Sequence, residues 1–248
     1  MSFIATTAPA AADGETAEMY RRQQASWGHV PNYAKVFCHR PEVMARWGQL
    51  LAEIKRPMEK RRFELATFAA AHELRHSACA LAHGKVLLAF FSEDDVIAIA
   101  EGRTDGVLSA AEQALVRFAR RVANDASQVT ADDVAALRSH GFADAEIFDI
   151  AAAVAGRAFF TKLLDALGVL MDSPFLALAE PLRRALTVGR PIDTRPPEKL
   201  PGDEPVGATQ PPSTVGARDE ARGQSQAVSA LSGAPAGDAA FQGDRRVA

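Results

Sequence analysis

Residues 64–83, ELATFAAAHELRHSACALAH, carry most of the chemistry in a chain of 248 residues: Glu64 at the head, three of the six histidines, and one of the two cysteines. His72, His76, Cys79 and His83 follow at spacings of four, three and four, and on one continuous helix all four share a face. Ser77 is a good N-cap, however, and a cap there breaks the run into two helices near His76. Cys79 then sits in the first turn of the second helix, where unpaired backbone N–H groups and the helix dipole favour a thiolate.

These residues resemble the signature helix pair of the alkylhydroperoxidase D-like, or carboxymuconolactone decarboxylase, family. Its redox members carry a glutamate, then C-x-x-C, then a histidine four residues after the second cysteine. Glu64, Cys79 and His83 stand at the matching positions, and His76 stands where the first cysteine would be. VPNYAKVF from Val30 and HRPEV from His39 resemble the N-terminal half of the same family, and the resemblance spans about Val30 to Ile192. It implies an all-α multi-helix bundle that assembles as a homo-oligomer. It also implies a thiol peroxidase site: Cys79 the nucleophile, His83 the proton acceptor, Glu64 the residue that orients His83. With His76 in place of the first cysteine, the intramolecular disulfide of that cycle is missing, so the reductant is expected to be an external thiol.

Composition limits the remaining classes. A chain that is 48% hydrophobic and 24% charged is large enough to bury one real core. Its net charge of −3, with dispersed basic residues, leaves no electrostatic footprint for nucleic acid. Two cysteines forty-one positions apart are no disulfide framework; reduced thiols in a cytoplasm fit better. The N-terminus lacks the basic start and apolar run of a signal peptide, and no segment reaches the roughly 20 apolar residues of a membrane span. The expectation is a cytoplasmic protein without a membrane partner.

Helix signals recur along the chain and strand signals do not. Asp13 can cap a helix over Glu15–Ser26, Pro31 breaks it, and Asn32 can cap a turn through Val36. Pro41 opens a helix whose stripe of Val43, Met44, Trp47, Leu50, Leu51 and Ile54 must pack on something. The helix after Cys79, with Leu81, Val86, Leu87, Phe90 and Phe91, is expected at the centre of the bundle. Ser92, Ser109 and Thr130 each start a further helix, and the last runs from about Asp144 to Leu167. The expected organisation is a flexible N-terminus over 1–13, one helical domain over 14–190, and a disordered tail over 191–248. That tail holds eight of the fourteen prolines and a single aromatic residue, too little apolar surface to offset the entropy of ordering.

Each candidate residue has a plainer reading. Cys79 can be a small buried hydrophobe, His76 a helix cap, His72 an exposed or capping histidine, and Cys38 a packing residue rather than a resolving thiol. Three histidines and a cysteine are ligand types that zinc accepts, but a straight helix spreads them over about 16 Å, too far for one site; a pair such as His72 and His76, or Cys79 and His83, could contribute with residues from elsewhere, and the expectation is no metal and no cofactor. In the decarboxylase branch of the family, His83 or Glu64 serves as general acid or base and Arg157 holds the carboxylate of a small substrate; the plainer role of Arg157 is a salt bridge closing the bundle. A non-catalytic oligomeric scaffold is the remaining alternative.

Overall fold

The computed structural model describes residues 2–202. They form ten α-helices: α1 (Gly14–Trp27), α2 (Asn32–Val36), α3 (Pro41–Lys55), α4 (Lys60–Glu73), α5 (Ser77–Leu87), α6 (Glu93–Ala100), α7 (Ala110–Asp125), α8 (Ala131–Ser139), α9 (Asp144–Ala166) and α10 (Glu180–Leu186). Among the described residues there is no strand, only isolated bridges joining Val30 to Glu198 and Met171 to Ile192. No helix among them is long and apolar enough to cross a membrane. The fold is all-α.

Local chemistry sets the helix limits. Ser92, Ser109 and Thr130 each form a capping box with the acid three residues on, satisfying backbone donors at the starts of α6, α7 and α8. Gly141, at a φ of 86°, takes the left-handed turn that ends α8. Two expected caps are differently employed. Asp13 precedes α1 without a side-chain bond to it, and Asn32 lies inside α2, its amide donating to the Leu170 carbonyl and to Asp193.

The centre of the bundle is α4, not the helix after Cys79. Every residue of α4 from Phe63 to Ala71 is buried, and α4 packs on α5, α7 and α9. Ala66, Ala69, Ala70 and Ala71 leave room for those neighbours on all sides, the pattern of an interior helix. The helix expected in that place, α5, stops at Leu87, and Phe90 and Phe91 lie half-buried beyond its end. Across the bundle α3 lies on α9, with the Trp47 indole N–H donating to the Gly156 carbonyl at 3.0 Å. Leu51 fills the space that a side chain at Gly156 would need.

Both ends of the described residues are held more firmly than composition suggests. The Phe3 N–H donates to the Leu167 carbonyl, the Tyr20 hydroxyl to the Thr7 carbonyl, and Pro9 is buried. Residues 191–202, assigned above to the disordered tail, pack on the body: Asp193 N–H donates to Met171, Glu198 accepts from Val30 N–H, and Leu200 N–H reaches Gln24. Ile192 and Asp193 are buried. Proline does not prevent docking here, because the bonding groups sit between the prolines. The rest of the expected tail, 203–248, lies outside the described residues.

Candidate active site

The site begins at the break between α4 and α5. Arg75 takes a left-handed φ of 55°, and the N–H groups of Arg75 and His76 return to the carbonyls of His72 and Ala71, a Schellman ending. That conformation costs a non-glycine residue on the order of 1–2 kcal/mol. Its surroundings enforce it. Gly189 N–H donates to Ser77 Oγ at 2.8 Å, and a Cβ on Gly189 would run into the Arg75 carbonyl oxygen. Ser77 is thus bound to this strap, and the cap of α5 is His76, whose Nδ1 accepts the Cys79 N–H at 3.1 Å.

The break takes the four-residue stripe apart. His72 turns toward the backbone of Ala185 on α10, His76 becomes the cap, and Cys79 and His83 face inward. Among the described residues, no three His, Cys, Asp or Glu side chains converge on a place for a metal ion.

Cys79 is fully buried, and its sulfur faces Arg157 Nη1 at 3.8 Å. Arg157 comes from α9 and is itself fully buried, with its guanidinium 5.5 Å from the Trp47 ring and 5.9 Å from the Phe160 ring. Those rings, one from α3 and one from α9, stack at 4.1 Å and seat the cation beside the thiol. Burial pushes the Cys79 thiol up, and the pull of Arg157 in the other direction does not overcome it. The thiolate expected from the helix start is therefore not the resting state, because desolvation outweighs the dipole.

Glu64 and His83, nineteen positions apart in sequence, meet at 2.7 Å between Oε2 and Nδ1. Lys55 Nζ stands 3.8 Å from the other carboxylate oxygen. Burial disfavours the Glu64 charge, but His83, Lys55 and Arg157 more than offset it and hold the carboxyl below its usual range. His83 is pushed down by burial and then by Arg157, further than Glu64 can raise it. The consistent state is an ionised Glu64 and a neutral His83 that donates from Nδ1, which makes Nε2 the acceptor. This Nε2 is buried without a hydrogen-bond partner. It lies one helical turn from Cys79 and makes no hydrogen bond to the sulfur.

Sequence reasoning missed Lys55, which ends a helix read only for its apolar stripe; no local signal ties it to Glu64. Cys38 is placed away from this chemistry, its sulfur accepting the Thr7 N–H at 3.3 Å under the N-terminal segment. Two adjoining surface cavities of about 270 and 250 Å³ are lined by Asn32, Lys35, Arg195 and Glu198, and no residue of the buried site lines either.

No protein-family model matches the chain, and no curated protein does. Solved structures are similar to it. The alkylhydroperoxidase AhpD core of an uncharacterized peroxidase-related protein from Ralstonia eutropha JMP134 superposes with a TM-score of 0.63 at 21% identity, covering 76% of this chain and 98% of that one. An uncharacterized peroxidase-related protein from Silicibacter sp. TM1040 gives 0.58 at 20% identity, over 69% of this chain and 94% of the other. The debrominase Bmp8, in complex with 2,3,4-tribromopyrrole, gives 0.57 at 15%, over 75% and 98%. The fold of this chain is alkylhydroperoxidase D-like, as its signature residues imply.

Proposed function

We propose that this alkylhydroperoxidase D-like chain is a peroxidase-type enzyme that reduces a small hydroperoxide through Cys79, with an external thiol as reductant in a reducing, cytoplasmic setting, and that it works as a homo-oligomer. The observation that carries the reading is the buried, unpartnered His83 Nε2, whose opposite nitrogen is held by Glu64 and which lies one turn from a thiol facing Arg157. A buried acceptor without a donor is costly, and a substrate O–H or the thiol proton would satisfy it.

Because the resting thiol is protonated, deprotonation belongs to the reaction rather than to the ground state. His83 Nε2 accepts the thiol proton while Arg157 stabilises the sulfur charge. The sulfur attacks the outer peroxide oxygen, the O–O bond breaks, and the leaving alkoxide takes the proton from His83, giving an alcohol and a Cys79 sulfenic acid. One external thiol displaces water to form a mixed disulfide, and a second releases Cys79 and leaves as the disulfide. The balance is one hydroperoxide and two thiols consumed, and one alcohol, one disulfide and one water produced.

The decarboxylase alternative asks Arg157 to hold a carboxylate, whereas its guanidinium faces the Cys79 sulfur beside the stacked Trp47 and Phe160 rings. Geometry therefore favours the thiol reading. The test is oxidation of the full chain by one equivalent of an alkyl hydroperoxide, with the sulfenic acid trapped by a dione reagent and located by mass spectrometry. Labelling at Cys79 alone, and loss of turnover in Cys79→Ser, is the expected result; full turnover in that variant would overturn it.

A further inference from the structure

We propose that the outward face of α9 is the contact surface between two copies of this chain, set antiparallel about a twofold axis. This builds on the homo-oligomer part of the reading above and not on its chemistry, so the two can fail separately. The buried side of α9 carries Ile147, Ile150, Val154, Arg157, Phe160 and Leu164. On the opposite side, Phe148, Ala152, Ala155 and Phe159 recur at spacings of four, three and four and form one stripe. Phe148 is 70% exposed and Phe159 46% exposed. A solvent-facing stripe is ordinarily polar, and this one carries no charge over three turns.

Single exposed apolar side chains are common on soluble proteins, but a cluster is not. Beside the α9 stripe, α3 exposes Leu50 at 54% and Val43 at 37%, and the two helices touch where Leu51 meets Gly156. Four of the seven large exposed apolar residues among those described thus lie on two adjoining helices. The stripe is only about 17 Å long and one helix wide, so alone it covers less than the roughly 800 Å² per partner of a standard interface, and the α3 residues supply the extension.

The order of the stripe names the occupant. Phe, Ala, Ala, Phe reads the same in both directions, so an antiparallel copy sets Phe148 against Phe159 at each end and Ala152 against Ala155 in the middle. Small residues at the centre let the helix axes approach, and the rings flank them. Asp149 of one copy then falls about one turn from Lys162 of the other, an attractive pair repeated by the symmetry. A self-complementary patch is what an isologous contact requires.

Sedimentation velocity on the full chain across the micromolar range tests this. The wild type should sediment as a dimer or a multiple of one. Phe148→Asp and Phe159→Lys should each weaken association about hundredfold while leaving the far-ultraviolet circular dichroism unchanged. With both substitutions in one chain, Asp meets Lys across the axis, and association should recover at least about tenfold over either single variant. A wild-type monomer, or association indifferent to Phe148→Asp, would overturn the proposal. A double variant no better than the singles would overturn the antiparallel register.

Discussion

His76 is buried at the start of α5, and burial, then Arg157 and Arg190, pushes its pKa down to about 3. Asp165 approaches its Nε2 to 4.0 Å without keeping it charged. The folded chain therefore holds His76 neutral where the unfolded chain protonates it, between pH 3 and 6.5. In that window the unfolded state binds more protons, so stability falls as pH falls, by about 1.4 kcal/mol per unit from this residue. Urea unfolding should show a loss on the order of 2 kcal/mol from pH 7 to 5. His76→Asn, which caps without titrating, should remove that part of the slope; an unchanged slope would assign it to other groups. Cys79 makes the second prediction at this scale. Its alkylation should rise with a midpoint above the ordinary 9.0, and Arg157→Met should move that midpoint higher still. Glu64→Gln keeps the shape of the His83 contact and removes its charge. It should slow Cys79 oxidation at least tenfold and cost about 3 kcal/mol, because Lys55 and Arg157 lose their counter-charge. An unchanged oxidation rate would count against the relay.

At the scale of elements, the geometry of the site depends on how the α4–α5 break is held. Gly189 and Gly84 offer a controlled contrast. A side chain at Gly189 meets the Arg75 backbone, whereas one at Gly84 meets the tips of Leu186, with a nearest approach of 2.6 Å. Side-chain tips can rotate away, and a carbonyl fixed by a Schellman ending cannot. Gly189→Ala should therefore cost about 3 kcal/mol and expose Cys79 to faster alkylation, while Gly84→Ala should cost less and leave alkylation unchanged. Equal costs in urea unfolding would remove the strap from this account. The same strap explains why Ser77 fails to cap: its hydroxyl is engaged by Gly189 N–H, and the next acceptor in place is the His76 ring.

At the scale of the whole molecule, the body extends past the composition change at Pro191. Ile192 is buried and its neighbour Asp193 bonds to Met171. Ile192→Ala should lower stability by about 2–3 kcal/mol in equilibrium unfolding, where a residue in a disordered tail would give nothing measurable. The candidate site lies in the buried centre, where α4, α5 and α9 meet. Lys55, close to Glu64, is itself partly exposed.

The sequence by itself determined the helical class, the starts of α6, α7 and α8, and the membership of Glu64, Cys79 and His83 in one candidate site. Caps and periodicity act within a few residues, and the spacing of Cys79 and His83 is one helical turn, so these were legible without the fold; Glu64, fifteen positions before Cys79, was joined to them only by the family resemblance. The tertiary structure decided the rest. Lys55 joins Glu64 only because α3 and α4 pack together, and Arg157 reaches Cys79 across 78 positions of chain. The ionisation of the site follows from burial, which no local pattern reports: desolvation raises the Cys79 thiol against a helix start that favours the thiolate. Composition likewise misplaced the edge of the body at Pro191, because a few backbone hydrogen bonds and one buried isoleucine are enough to dock a proline-rich segment.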